Sequence, residues 1–263
     1  MAEEVKFFEL NTIMMRSTYK IEGKGSIGTC FLIGRPSKTK SNFAHFVLVT
    51  AAHVLEKLEG DKATIFLRKT ADHITYEKFP YQFQIRQGNK ELWLKNPSGI
   101  DVAVMYVDLP KVTDFALLTT NMFANDEILS KFEIHPGDEL FCLGYPLGAE
   151  ASDMGFPILR SGKISSFPLI PTKENISFLL DFRVFKGNSG GPVYFVESNR
   201  NYKGGTHIGK IQFIAGLVSQ EHYMIEKIKS LYETKEQIYS LGLATVIHAS
   251  YILDTIEKLP EKD

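Results

Sequence analysis

Hydrophobic positions fall in short runs along most of this chain, rich in Val, Ile, Phe, Tyr and Thr and broken by Gly, Pro, Asn and Asp. Residues 29–34, 43–50, 63–68, 81–85 and 102–107 form a first group, and 139–143, 160–166, 176–185, 193–196, 211–219 and 241–247 form a second. Closely spaced runs that alternate, or are apolar throughout, predict half-buried and fully buried strands, not alternating strand and helix units. The pattern predicts an all-β fold of two six-stranded antiparallel β-barrels, with the chain divided into an arm over 1–12, a first barrel over 13–115, a second over 116–247 and a C-terminal helix and tail over 248–263. Residues 111–131 have weaker periodicity and read as a connection. Two stretches switch to helical spacing. Over 222–240 the residues Met224, Ile228, Leu231, Tyr232 and Ile238 fall on one helical face, predicting a helical insertion. Over 249–259 the residues Ile252, Leu253, Ile256 and Leu259 do the same before Pro260 stops the helix.

Composition narrows the partners. With 263 residues and 44% hydrophobic content, the chain can bury a substantial core. Lys and Arg number 30 against 31 Asp and Glu, which leaves no basic field for nucleic acid or anionic lipid. No apolar run reaches membrane-spanning length. The opening residues Met1 to Lys6 lack the basic and apolar regions of a secretory signal, and the only two cysteines, Cys30 and Cys142, lie in strand-like runs. Reduced thiols and a cytoplasmic location are expected from this.

Three local patterns carry candidate chemistry. Lys186-Gly187-Asn188-Ser189-Gly190-Gly191-Pro192 surrounds one serine with residues that permit a sharp bend and close approach of backbone N–H groups. Such a bend suits a nucleophile beside an oxyanion hole, and equally a plain glycine-rich turn. His53 ends the apolar run Val47-Leu48-Val49-Thr50-Ala51-Ala52, where small neighbours leave it free to approach another loop. Asp101 precedes the apolar Val102-Ala103-Val104-Met105, where a carboxylate is costly unless paired, and could instead cap nearby amides.

Together, Thr-Ala-Ala-His, Gly-Ile-Asp-Val-Ala-Val and Gly-Asn-Ser-Gly-Gly-Pro stand in the order His, Asp, Ser, and the chain resembles the trypsin-like, chymotrypsin-clan serine proteases over roughly 13–258. The resemblance is nearest to the bacterial branch of stress proteases and glutamyl endopeptidases, through Gly28-Thr29-Cys30-Phe31-Leu32-Ile33-Gly34 and Leu143-Gly144-Tyr145-Pro146-Leu147-Gly148. It implies a serine endopeptidase acting on polypeptides without cofactor or metal. His53, Asp101 and Ser189 would be the triad, and the N–H groups of Gly187 and Ser189 the oxyanion hole. Ala215, Gly216 and Leu217 would pair with extended substrate, while Arg183 and the wall Leu243, Ala244 and Thr245 would line the first subsite. An inward Arg183 would favour an acidic residue before the cut; a solvent-facing strand arginine is the alternative. Asn188 stands where digestive members carry an activating aspartate, so that switch is missing. The insertion over 222–240, between substrate strand and pocket wall, is expected to act as a lid or docking surface. Another reading is a protease-fold binding or sensing module with latent hydrolysis, which leaves room for a regulatory partner. A third is an acyl-transfer enzyme acting on esters.

Overall fold

The computed structural model describes residues 9–40, 43–72, 74–229 and 234–262. The chain is mostly β, in two groups of strands. The first group is β1 (Thr18–Gly23), β2 (Ser26–Pro36), β3 (Ala44–Thr50), β4 (Lys62–Thr70), β5 (Tyr76–Gln84), the small ribbon β6 (Arg86–Gln87) and β7 (Lys90–Glu91), then β8 (Leu94–Lys95) and β9 (Ala103–Tyr106). Seven of these make one sheet in the order β5-β4-β1-β2-β3-β9-β8, with consecutive partners antiparallel. Six strands were expected and seven are found: the five runs visible in the sequence are joined by Thr18–Gly23 and the short Leu94–Lys95. The second group is β10 (Glu139–Gly144), β11 (Ile158–Ile164), β12 (Ser177–Asp181), β13 (Pro192–Tyr202), β14 (Gly205–Lys229) and β15 (Thr234–His248), closed as a barrel in the order β10-β11-β12-β15-β14-β13.

Helices fill the corners: α1 (Leu10–Ser17), α2 (Ala52–Glu56), α3 (Asp126–Lys131) and α4 (Ala249–Glu257). Residues 1–8 of the expected arm lie outside the described residues. Residues 13–17, at the start of the expected first barrel, belong to α1 and not to a strand. Leu10, Ile13, Met14 and Ser17 are spaced to bury one helical face, and all four are buried. Burial also explains α4, whose Ile252 and Ile256 are four residues apart and insert into the core beneath the first sheet.

The expected helix over 222–240 is not formed. β14 and β15 instead run on past the barrel as the two arms of a hairpin, in register from Tyr223↔Ser240 to Lys229↔Thr234 after an irregularity that follows His222↔Leu243. Leu231 and Tyr232, part of the supposed helical face, lie outside the described residues. The physical reason is that a helix here would need a surface to bury its apolar face, whereas Tyr223 is 58% and Met224 52% exposed. Continuing two strands already paired gives the backbone groups their partners without such a surface. The strand expected over 176–185 ends at Asp181, after which the chain turns toward the glycine-rich turn that carries Ser189.

Candidate functional site

His53 is the second residue of α2, which follows β3 directly. The first N–H groups of a helix have no intrahelical acceptor, and here a carboxylate supplies one. His53 N donates to Asp101 Oδ1 at 3.0 Å, while His53 Nδ1 meets Asp101 Oδ2 at 2.8 Å. One carboxylate therefore anchors both the backbone and the ring of the histidine. Asp101 is itself held at the entrance to β9 by a tight turn in which Asn96 accepts from Gly99 N and Ser98 N and donates its own N–H to Val102 O. Ser219 Oγ donates to Asp101 Oδ2 at 2.5 Å. Burial works against the charged carboxyl, but the His53 hydrogen bond and charge, the Ser219 hydroxyl and the His53 N–H outweigh it and hold Asp101 at about 2.

Ser189 comes from the barrel side, on the turn before β13. The carbonyls of this turn are all engaged: Phe185 O accepts from Asn188 N, Lys186 O from Leu147 N, Gly187 O from the Thr29 hydroxyl at 2.6 Å, Asn188 O from Gly191 N and Ser189 O from Thr29 N. Among the described residues, the N–H groups of Gly187 and Ser189 have no acceptor. Two free donors on a turn fixed through its carbonyls form a site for a developing negative charge. Gly187 is required: its φ is +100°, and a Cβ there would stand 2.1 Å from Tyr145 O. The Ser189 hydroxyl donates to Ser219 O at 3.0 Å, so its proton is not directed at His53.

His53, Asp101 and Ser189 line one cleft of 830 Å³, together with Gly187, Ser219, Glu221 and Thr245. Of the residues expected to bind substrate, Thr245 is the one that reaches it. Ala215, Gly216 and Leu217 do not: Ala215 and Leu217 are buried, and Gly216 and Leu217 pair with β13 on one side and β15 on the other, leaving no edge for another chain. The bare edge begins two residues later. Up to Val218 the strand is bonded on both sides, but from Gln220 its partner is β15 alone. Ala244 points into the barrel core and Leu243 is not part of the cleft lining. Arg183 is turned outward, 62% exposed, with its guanidinium over the Phe185 ring and 4.0 Å from Glu221 Oε1. The carboxylate Glu221 occupies the wall where that arginine was expected.

Sequence reasoning passed over Ser219 and Thr29, both hydroxyls embedded in apolar strands. Their signal is a polar break in an otherwise apolar run, Ala215-Gly216-Leu217-Val218-Ser219 and Thr29-Cys30-Phe31-Leu32. Neither cysteine competes as a nucleophile: both are free and buried, and burial pushes the Cys142 thiol up to about 12 and Cys30 higher still. Among the described residues no helix is long and apolar enough to cross a membrane.

Solved structures similar to this chain include a mutant of Rv3671c from M. tuberculosis H37Rv in its inactive form (18% identity, 95% of this chain and 88% of that chain, TM-score 0.48). They also include the inactive form of Rv3671c protease (18%, 94% and 90%, 0.46) and the thermostable serine protease AL20 from an extremophilic microorganism (10%, 92% and 98%, 0.49). No curated protein matches the sequence. Residues 28–200, well over half of the chain and spanning His53, Asp101 and Ser189, match the family described as the trypsin-like peptidase domain, and it is to this family that the chain belongs.

Proposed function

We propose that this protein is a serine endopeptidase that cuts peptide bonds through His53, Asp101 and Ser189. The observation carrying the proposal is the pairing of Asp101 with both the N–H and the ring of His53, in the cleft that holds Ser189 and the free N–H groups of Gly187 and Ser189. Ser189 Oγ attacks the scissile carbonyl carbon as its proton passes to His53 Nε2. The oxyanion forms against the two N–H groups, each worth about 2.7–4 kcal/mol by mutational precedent. Collapse of that intermediate expels the amine, which takes the proton from His53, and leaves an acyl group on Ser189. Water then repeats the sequence, giving a carboxylic acid product and the free serine. Asp101 orients His53 and stabilises its cation. Extended substrate adds as a strand to the bare edge of β14 from Gln220 onward. The two strand groups act in this reading as two β-barrels that bring His53 and Asp101 from one side to Ser189 from the other.

A reading as a latent hydrolase is favoured by one observation, the bond from Ser189 Oγ to Ser219 O. A single rotamer step of Ser189 would redirect that proton. Labelling with a fluorophosphonate probe, alongside hydrolysis of a denatured protein substrate, separates the readings. The endopeptidase reading expects labelling and hydrolysis that both vanish in Ser189→Ala. Labelling without turnover supports the latent form, and equal labelling of wild type and variant overturns both.

A further inference from the structure

Charge is unevenly distributed along the cleft. Lys57 stands one helical turn after His53, its N–H donating to His53 O at 3.2 Å, and Lys186 immediately precedes the donor Gly187. Both line the cleft, and among the described residues neither has a carboxylate within 4 Å. A smaller hollow of 340 Å³, with Lys186 on its rim, adjoins the cleft at Gly25, Ser26 and Ile27 and contains one carboxylate, Glu22. At the β14 edge the sign reverses. Glu221 lines the cleft there, fixed by the Ser240 hydroxyl that donates to it.

Which half of a substrate meets which charge follows from proton transfer. The leaving amine must come within hydrogen-bond reach of the His53 ring to collect its proton. The residues after the cut therefore depart past His53, on the side where Lys57 projects from the same helical face four residues on. The residues before the cut lie toward β14 and Glu221.

We propose that Lys57 and Lys186 form a subsite for an acidic side chain, Asp or Glu, in the first residues after the cut. The subsite rests on the endopeptidase reading above. It makes the chain selective on the leaving-group side, whereas the sequence had pointed to Arg183 and an acidic residue before the bond. Glu221, paired only at 4.0 Å with the exposed Arg183, sets the sense of the preference, since an acid before the bond meets like charge. Because both lysines are exposed, each contributes modestly and is weakened by salt.

The test uses two isomeric sets of internally quenched peptides, neutral except for one Glu pair placed either after or before the cleavable segment, with the cut position read by mass spectrometry. Wild type should cleave the set with Glu after the bond about threefold to tenfold faster in kcat/KM. That ratio should fall toward one in the double variant Lys57→Gln, Lys186→Gln and in 0.5 M salt. Equal rates in wild type, or a ratio retained by the double variant, overturn the subsite and leave the endopeptidase reading standing. If neither set is cut, the endopeptidase reading fails, and binding decides the subsite. Ser189→Ala is titrated by fluorescence anisotropy with dye-labelled peptides whose free amino termini begin with Glu-Glu or Lys-Lys. Tighter binding of the acidic peptide, lost when both lysines are also changed to Gln, supports the subsite; equal binding overturns it.

Discussion

A half-buried carboxylate carries a desolvation cost, and Asp101 is kept ionised by donors from three separate places: the His53 ring, the His53 backbone and the Ser219 hydroxyl. Its folded value of about 2 lies below its unfolded value near 4, so its contribution to stability is complete above pH 4 and lost as pH falls through about 2. Removing the hydroxyl in Ser219→Ala takes away one of the interactions that lower this value. A hydrogen bond to a charged group is worth about 1.5–3 kcal/mol, so kcat/KM should fall about tenfold to a hundredfold, with the acid-unfolding midpoint moving to higher pH. Steady-state kinetics with a pH titration followed by circular dichroism reads both, and a variant unchanged in rate and midpoint would show that Ser219 does not orient the pair. The motifs around His53, Asp101 and Ser189 were legible because each is local, with its chemistry and its turn residues in one short stretch. Ser219 was not, because its meaning lies in a partner 118 residues away.

Among the elements, the glycine turn carrying Ser189 is the most constrained. Its carbonyls are tied to Thr29 and Leu147, and Gly187 leaves no room for a side chain against Tyr145 O. Gly187→Ala must push the turn off that carbonyl and displace one oxyanion donor, lowering kcat by about 10²–10³-fold. Gly60→Ala is the matched control: its φ is +83° with nothing within 4 Å of the added Cβ, so it carries backbone strain without a collision. The control should lose some thermal stability and keep full kcat. If Gly187→Ala also keeps full kcat, its N–H is not an oxyanion donor. Strand positions were legible from the apolar runs, since β2, β3, β4, β9, β10 and β13 all fall on runs visible in the sequence. The β14–β15 hairpin was not legible. Met224, Ile228 and Ile238 satisfy a helical period, and only the ladder partner across the turn decides for strand. The same blindness to register hid which part of the strand has a bare edge: Ala215 to Leu217 and the residues after Val218 look alike in sequence, and only pairing with β13 distinguishes them.

At the scale of the molecule, the proposed catalytic residues from two strand groups must stay aligned, and α4 is the chain's return across that boundary. It leaves the barrel at His248 yet buries Ile252 and Ile256 in the core of the first sheet, where Asn96 Nδ2 donates to Thr255 Oγ1 at 2.8 Å. The helix was legible from its spacing, but its docking against the first sheet was not, since the bonds from Asn96 that fix it there span 155 to 159 residues. His248 is the hinge of this return. Its N–H donates to Ile176 O and its ring packs on Phe178 with centroids 4.8 Å apart, while Nε2 is buried with no partner among the described residues. Burial pushes the imidazole down to about 4, against a smaller opposing pull from Asp126. The unfolded chain, with its histidine near 6.5, binds the proton more readily, so the His248 contribution is complete above pH 6.5 and is lost as pH falls toward 4. At pH 5 the loss should amount to about 2 kcal/mol. Urea unfolding at pH 7.5 and pH 5 tests this in wild type and in His248→Phe, which keeps the backbone bond to Ile176 and fills the apolar site without titrating. The variant should lose about 2 kcal/mol less over that interval, whatever its starting stability. Equal losses in the two proteins would mean that His248 is free to protonate without loosening the α4 connection.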